Sequence, residues 1–143
     1  MTLPDMLPTG WFQVAWSRDL TEGAVTPLHY FGVDLVLFRG ADGHPHVLDA
    51  HCQHLGANLA YGGCVVADGI QCPFHGWVWD SAGRNVSIPY QSRPNKARRI
   101  RSWAVTEIND CIFIMSGSDE HSSSSCSVAN SFIFEYASRK FGS

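Results

Sequence analysis

The chain has 143 residues, 45% hydrophobic and 16% charged, with a formal net charge of -3. That is enough for one domain with its own core and too little for a second full-sized one. Non-specific nucleic-acid affinity comes from clustered Lys and Arg that neutralise phosphates, so this mildly acidic balance excludes nucleic acid as an expected partner. No basic segment followed by an apolar run opens the chain, and stretches such as Cys111 to Met115 fall far short of the ~20 apolar residues that span a bilayer. A cytoplasmic protein without a membrane partner is therefore expected.

Residues 1–9 read as a short lead. From Trp11 to Met115 the apolar residues come in short runs broken by Gly, Asp, Asn and Pro, the pattern of many short strands. The expected strands are Trp11 to Trp16, Val33 to Arg39, Val47 to Ala50, Cys64 to Val66, Ile70 to Cys72, Trp77 to Asp80, Ile100 to Glu107 and Cys111 to Met115. Most are rich in Val, Ile, Phe or Trp. Ala41-Asp42-Gly43, Ala67-Asp68-Gly69, Ser81-Ala82-Gly83 and Asn109-Asp110 each suit a tight hairpin between neighbours. An all-β, antiparallel domain over 10–115 follows. Beyond it, 116–143 reads as a Ser-rich linker and loose tail, with four consecutive serines at Ser122 to Ser125 and an aromatic patch at Phe132, Phe134 and Tyr136.

The five cysteines are an odd number, and two of them are followed by a histidine with one or two residues between, so metal ligation outranks a disulfide framework. Cys52-Gln53-His54 is followed, after seventeen residues, by Cys72-Pro73-Phe74-His75. Each half sits in a loop after a short strand, so the two can converge. Mixed thiolate and imidazole ligands point to zinc or to an iron–sulfur centre. Structural zinc sites usually take paired cysteines from one element and paired histidines from another, whereas here each loop supplies one of each. That split suits a cluster with two thiolates on one iron and two imidazoles on the other. Gly56, Gly62, Gly63 and Gly76 let the backbone turn sharply near such a group, and Pro73 stiffens the second loop. A structural zinc module with two cysteines and two histidines stays open at this point.

Cys52-Gln53-His54-Leu55-Gly56 and Cys72-Pro73-Phe74-His75-Gly76-Trp77, with the Trp79-Asp80 and Gly83 that follow, resemble the Rieske non-haem iron oxygenases. Gly10-Trp11-Phe12, Phe31-Gly32, Val47-Leu48-Asp49-Ala50 and Pro89-Tyr90 are most similar to the steroid-acting members, the 3-ketosteroid 9α-hydroxylase and cholesterol 7-desaturase groups. The resemblance covers about Gly10 to Ile114. It implies an antiparallel β-sandwich with a smaller cluster-binding subdomain of two loops, and a 2Fe-2S cluster on Cys52, His54, Cys72 and His75. It also implies that electrons arrive from a flavin-dependent reductase or a ferredoxin. They would leave from the histidine-bound iron to a mononuclear Fe(II) in a neighbouring subunit of an oxygenase oligomer. The domain holding that Fe(II), and with it any catalytic residue, is not expected in this chain. Besides His54 and His75 the histidines are His29, His44, His46, His51 and His121, and only His121 lies beyond the Rieske segment. A fragment of a terminal oxygenase is the expectation, with a stand-alone Rieske ferredoxin as the alternative.

The respiratory Rieske type carries an extra cysteine in each loop, where this chain has Ala57 and Phe74, and donates Ser and Tyr hydroxyls to the cluster where this chain has Trp77 and Trp79. Donors to sulfur favour the reduced cluster, so their expected absence predicts a potential toward the bottom of the Rieske range, about -150 mV. Plainer readings cover the other residues. His51 is expected as a surface loop histidine, Cys64 and Cys111 as small buried hydrophobes, and His44 and His46 as part of an exposed hairpin. Arg93, Lys96, Arg98, Arg99 and Arg101 gather half the Lys and Arg of the chain into nine residues. A solvated face is the plain reading; steering of an acidic redox partner is the other.

Overall fold

The computed structural model describes residues 8–117, so the expected tail lies almost entirely outside the described residues. Eleven strands and one short 3-10 turn, Ser17–Asp19, make up the regular structure. The strands are β1 (Gly10–Trp16), β2 (Val25–Tyr30), β3 (Val33–Arg39), β4 (Pro45–Asp49), β5 (Cys64–Val66), β6 (Gly69–Gln71), β7 (Val78–Trp79), β8 (Asn85–Ser87), β9 (Ser102–Trp103), β10 (Val105–Ile108) and β11 (Cys111–Ser116). They form three antiparallel sheets, ordered β1-β11-β10, β2-β3-β4-β9 and β5-β6-β7-β8. Among the described residues no helix is long and apolar enough to cross a membrane.

The burial pattern of β3 explains the layering. Leu35, Val36, Leu37 and Phe38 are all buried, a continuous run that a strand shows only when both its faces are covered. Alternate side chains then serve two cores. Leu35 and Leu37 join Val47, Ile112 and Ile114 on one face, while Val36 and Phe38 join Leu48, Leu59, Ile70 and Trp79 on the other. The second sheet is thus the central layer, with the first sheet against one face and the third against the other. The two cysteines of interest, Cys52 and Cys72, belong to the second core. Each fully buried Leu, Ile or Phe contributes roughly 1.5–3 kcal/mol.

Several strand boundaries shift, and two strands come from segments in which the sequence pattern suggests none. β2 contains Pro27 and His29, which break an apolar alternation, yet it lies at the edge of its sheet, where the missing proline N–H disturbs no central ladder. Its turn into β3 uses Phe31 and Gly32, both at positive φ, so the Phe31-Gly32 step is a hairpin signal. β8 is also an edge strand, and its only large apolar residue, Val86, faces solvent. The expected strand from Ile100 to Glu107 is two strands. Ser102–Trp103 pairs with β4 and Val105–Ile108 with β11, so the chain changes sheets at Ala104. All four expected hairpins occur, and both Asn109 and Asp110 take the positive φ of a primed turn.

Candidate metal centre

Two loops of the third layer carry the candidate residues, and both close in the same way. In the first, between β4 and β5, the Cys52 N–H donates to the Ala57 carbonyl at 2.8 Å and the Gly56 N–H to the Cys52 carbonyl at 2.8 Å. In the second, between β6 and β7, the Cys72 N–H donates to the Trp77 carbonyl at 2.8 Å and the Gly76 N–H to the Cys72 carbonyl at 3.2 Å. Each closure needs a residue at positive φ four positions after the cysteine, which Gly56 (φ 84) and Gly76 (φ 73) supply.

The closure turns the cysteines inward and the histidines outward. Cys52 and Cys72 are 2% and 4% exposed, whereas His54 is half-buried and His75 exposed. Burial pushes the Cys52 thiol up; the His54 backbone N–H and the Trp79 indole oppose this, and the adjoining Cys72 adds to it. The two imidazoles meet edge to face with centroids 4.8 Å apart. Trp77 of the second loop lies flat against His54 of the first, 4.5 Å away at 11°, and its indole N–H donates to the Tyr90 hydroxyl at 2.7 Å. One loop thereby orients the other's imidazole.

Some residues depart from expectation. Trp79 is fully buried and its indole N–H donates to Cys52 Sγ at 3.3 Å. A donor to sulfur thus follows the second His-Gly after all, and the argument for the very bottom of the potential range loses its premise. The sequence signal was the tryptophan itself, because a buried indole N–H requires an acceptor. Cys64 is exposed rather than buried, since it opens the edge strand β5 on its outer side, and Cys111 is half-buried. His51 is a surface histidine as expected. Its Nδ1 is 3.1 Å from the Gly56 carbonyl and its Nε2 3.2 Å from Asp34, which His29 also contacts at 2.7 Å. His46 is partly buried and bonds Asp42 at 2.9 Å, while His44 is exposed.

The four candidate donors divide by depth, with the Cys52 and Cys72 thiols adjoining in the core and the His54 and His75 rings in contact above them. A buried thiol pair and an outer imidazole pair is the division a Rieske cluster takes. Residues 10–107 match the Rieske 2Fe-2S domain family. The chain belongs to that family. Among curated relatives, the cholesterol 7-desaturase of Bombyx mori is 45% identical over 78% of this chain and 25% of its own length. The 3-ketosteroid-9-alpha-monooxygenase oxygenase component of Rhodococcus rhodochrous is 39% identical over 79% of this chain and 30% of its own. This Rieske chain therefore spans under a third of the length of these relatives. Among solved structures, the terminal oxygenase of carbazole 1,9a-dioxygenase from Novosphingobium sp. KA1 superposes with TM-score 0.69 at 26% identity, covering 80% of this chain and 32% of that one. Dicamba monooxygenase gives 0.67 at 28%, covering 77% and 33%.

Proposed function

We propose that this Rieske domain passes single electrons within a steroid- or sterol-acting oxygenase, with Cys52 and Cys72 holding the inner iron of the cluster and His54 and His75 the outer one. The observation that carries this reading is the gradation in depth: two thiols sealed in the core and two imidazoles at the surface, one of them exposed. When bound, such a cluster supplies one-electron redox chemistry, and neutral imidazoles in place of two thiolates make it easier to reduce than a four-cysteine centre. The residues of this chain do the rest. The buried thiols keep water from the inner side, Trp77 and Tyr90 hold the His54 ring, and His75 offers the short exit for an electron. Leu55, Phe74, Tyr61 and Tyr90 are exposed apolar residues in or against the two loops, a surface suited to protein contact.

The donor would be a ferredoxin or a flavin-dependent reductase, and the acceptor a mononuclear Fe(II) in the catalytic part of a neighbouring subunit of an oxygenase oligomer. A fluorene-bound oxygenase of carbazole 1,9a-dioxygenase in complex with ferredoxin resembles this chain with TM-score 0.68 at 26% identity, which supports the ferredoxin. Arg93, Lys96, Arg98 and Arg99 are exposed, and no Asp or Glu occurs from Ser81 to Thr106, so the segment leaving Tyr90 suits an acidic donor. The steroid class rests on the names of the curated relatives. We take the domain as the expected 10–115 together with Ser116, which ends β11 opposite Gly10 of β1, and we place it in the cytoplasm. The test is an electron paramagnetic resonance spectrum of the dithionite-reduced protein with iron and zinc analysis. A Rieske signal, with average g below that of four-cysteine clusters, is expected. Silence with stoichiometric zinc overturns the reading.

A further inference from the structure

We propose that Asn85 sets the pose of the basic loop 91–99 and thereby the rate at which an acidic electron donor docks on that face. The effect presupposes the proposed electron-transfer role of the domain. Asn85 is 4% exposed and stands where the β7–β8 ladder shifts register. Its amide N–H groups donate to the carbonyls of Val78 at 3.1 Å and Ser87 at 3.3 Å, and its Oδ1 accepts the Asn95 N–H from across the loop at 2.8 Å. A buried amide is costly unless its hydrogen bonds are made, and packing alone would be met by a leucine of similar size. Asn95 passes the restraint on. Its side-chain carbonyl accepts the Ala97 N–H at 3.0 Å and its main-chain carbonyl the Arg98 N–H at 3.4 Å, a turn that carries exposed Lys96 and Arg98. The base of the loop is closed by a backbone bridge between Arg84 and Arg99 and by the Ile100 N–H on the Gly83 carbonyl at 2.8 Å. Its start is tied to the metal centre, because Tyr90 accepts the Trp77 N–H and Trp77 covers His54.

The physical consequence follows from charge. Arg93, Lys96, Arg98 and Arg99 are exposed, and among the described residues none of them pairs with a carboxylate. Like charges repel, so a slack loop would spread these four and turn them through many directions. A loop fixed across its middle keeps their field on one face, where it raises the encounter rate with a negatively charged partner. The transfer itself moves one electron from the reduced donor to the oxidised cluster, with no bond broken and no proton moved. Asn85 is a positioning residue, because it bonds to none of the candidate ligands and acts on the donor only through Asn95.

The test uses the full cluster-loaded chain and follows the cluster's visible absorbance. Electrons come from a reduced acidic ferredoxin of the plant type in stopped flow and, separately, from flash-generated deazariboflavin radical, which is small and uncharged. Asn85→Leu removes all three side-chain bonds at nearly constant volume. Arg93, Lys96, Arg98 and Arg99 changed together to Gln remove the charges and leave Asn85 in place. At about 0.01 M salt, where the Debye length is about 30 Å, Asn85→Leu is expected to keep its iron, its resonance signal and its rate with deazariboflavin, while its rate with ferredoxin falls about tenfold. The gap is expected to close near about 1 M salt, where the Debye length is about 3 Å, and to vanish in the Gln background. A ferredoxin rate within about twofold of native at low salt overturns the proposal. A deficit that persists at high salt or in the Gln background overturns it too, since a structural role alone would leave that mark. Should Asn85→Leu fail to load, Asn95→Pro removes the same N–H from the loop side, with Asn95→Ala, which keeps it, as the reference. The same tenfold difference is then expected between these two, and equal rates overturn the proposal. A Gln variant as fast as native at low salt sinks the acidic-donor reading as well, whereas a slow Gln variant beside a native-rate Asn85→Leu sinks this proposal alone.

Discussion

The two loops of the third layer share one backbone solution and differ in what secures it. In both, the cysteine N–H reaches the carbonyl five residues on, and a left-handed glycine four residues on returns a hydrogen bond to the cysteine carbonyl. The histidine then falls two residues after Cys52 but three after Cys72, and the two rings meet edge to face. The first loop is braced from outside, through exposed His51 bridging Gly56 and Asp34. The second is braced by packing, with exposed Pro89 behind Gly76 and buried Trp77 tied to exposed Tyr90. Because Trp77 also covers His54, the second loop does part of the holding for the first. A repeated turn thus sets the depth of the ligands, and unequal packing behind it sets their stiffness.

The largest expected effect treats the loops as equals. Cys52→Ser and Cys72→Ser should each lose the cluster, because a hydroxyl is a far poorer iron ligand than a thiolate. Iron content and visible absorption are expected to fall to background in both, and the emptied loops to become sensitive to protease. Retention of full iron by either variant breaks the assignment for that loop.

A smaller effect separates the loops. An added methyl group at Gly76 would stand 2.8 Å from Pro89 Cγ at a φ of +73°, whereas at Gly56, φ +84°, it would meet nothing within 4 Å. Left-handed strain costs both about 1–2 kcal/mol, and the clash adds about 1–3 kcal/mol at Gly76 alone. Urea unfolding of the loaded proteins should therefore place Gly76→Ala below Gly56→Ala. Equal losses would mean that the packed brace of the second loop is no stiffer than the polar brace of the first.

Much of this was legible beforehand, for identifiable reasons. The residues that gather at the site follow from spacing, because a mixed Cys and His pair in each of two loops restricts the chemistry. The hairpins follow from Asp-Gly, Ala-Gly and Asn-Asp turn chemistry. The sequence hides what depends on neighbours distant along the chain. Pro27 argues against a strand until β2 is known to be an edge, and Cys64 passes for buried until β5 is seen as another edge. The change of sheet at Ala104 has no local signature. The Trp79 bond is hidden for a similar reason: the residue type announces a buried donor, but only the fold shows that its acceptor lies 27 residues earlier, in the first loop.

The smallest expected effect is a control that leaves both loops alone. Arg39 at the end of β3 pairs with Glu107 of β10 through two bonds of 2.6 and 3.0 Å, and its other N–H groups reach the carbonyls of Leu20 and Gly43. The guanidinium holds the Glu107 carboxyl below its ordinary 4.5, against the opposing effect of partial burial. A depressed folded value means that the pair's contribution is fully present above pH 4.5 and is lost as the pH falls through that lower value. Glu107→Gln should therefore cost about 1 kcal/mol at pH 7, and the gap to wild type should close as the pH drops below 4.5. The cluster's resonance signal is expected to stay the same at pH 7, because the pair ties the first two sheets together and touches neither loop. A gap that persists in acid removes the electrostatic account of this pair. An altered cluster signal would show instead that the first two sheets control loop stiffness, and the contrast between the two braces would then no longer be a property of the loops themselves.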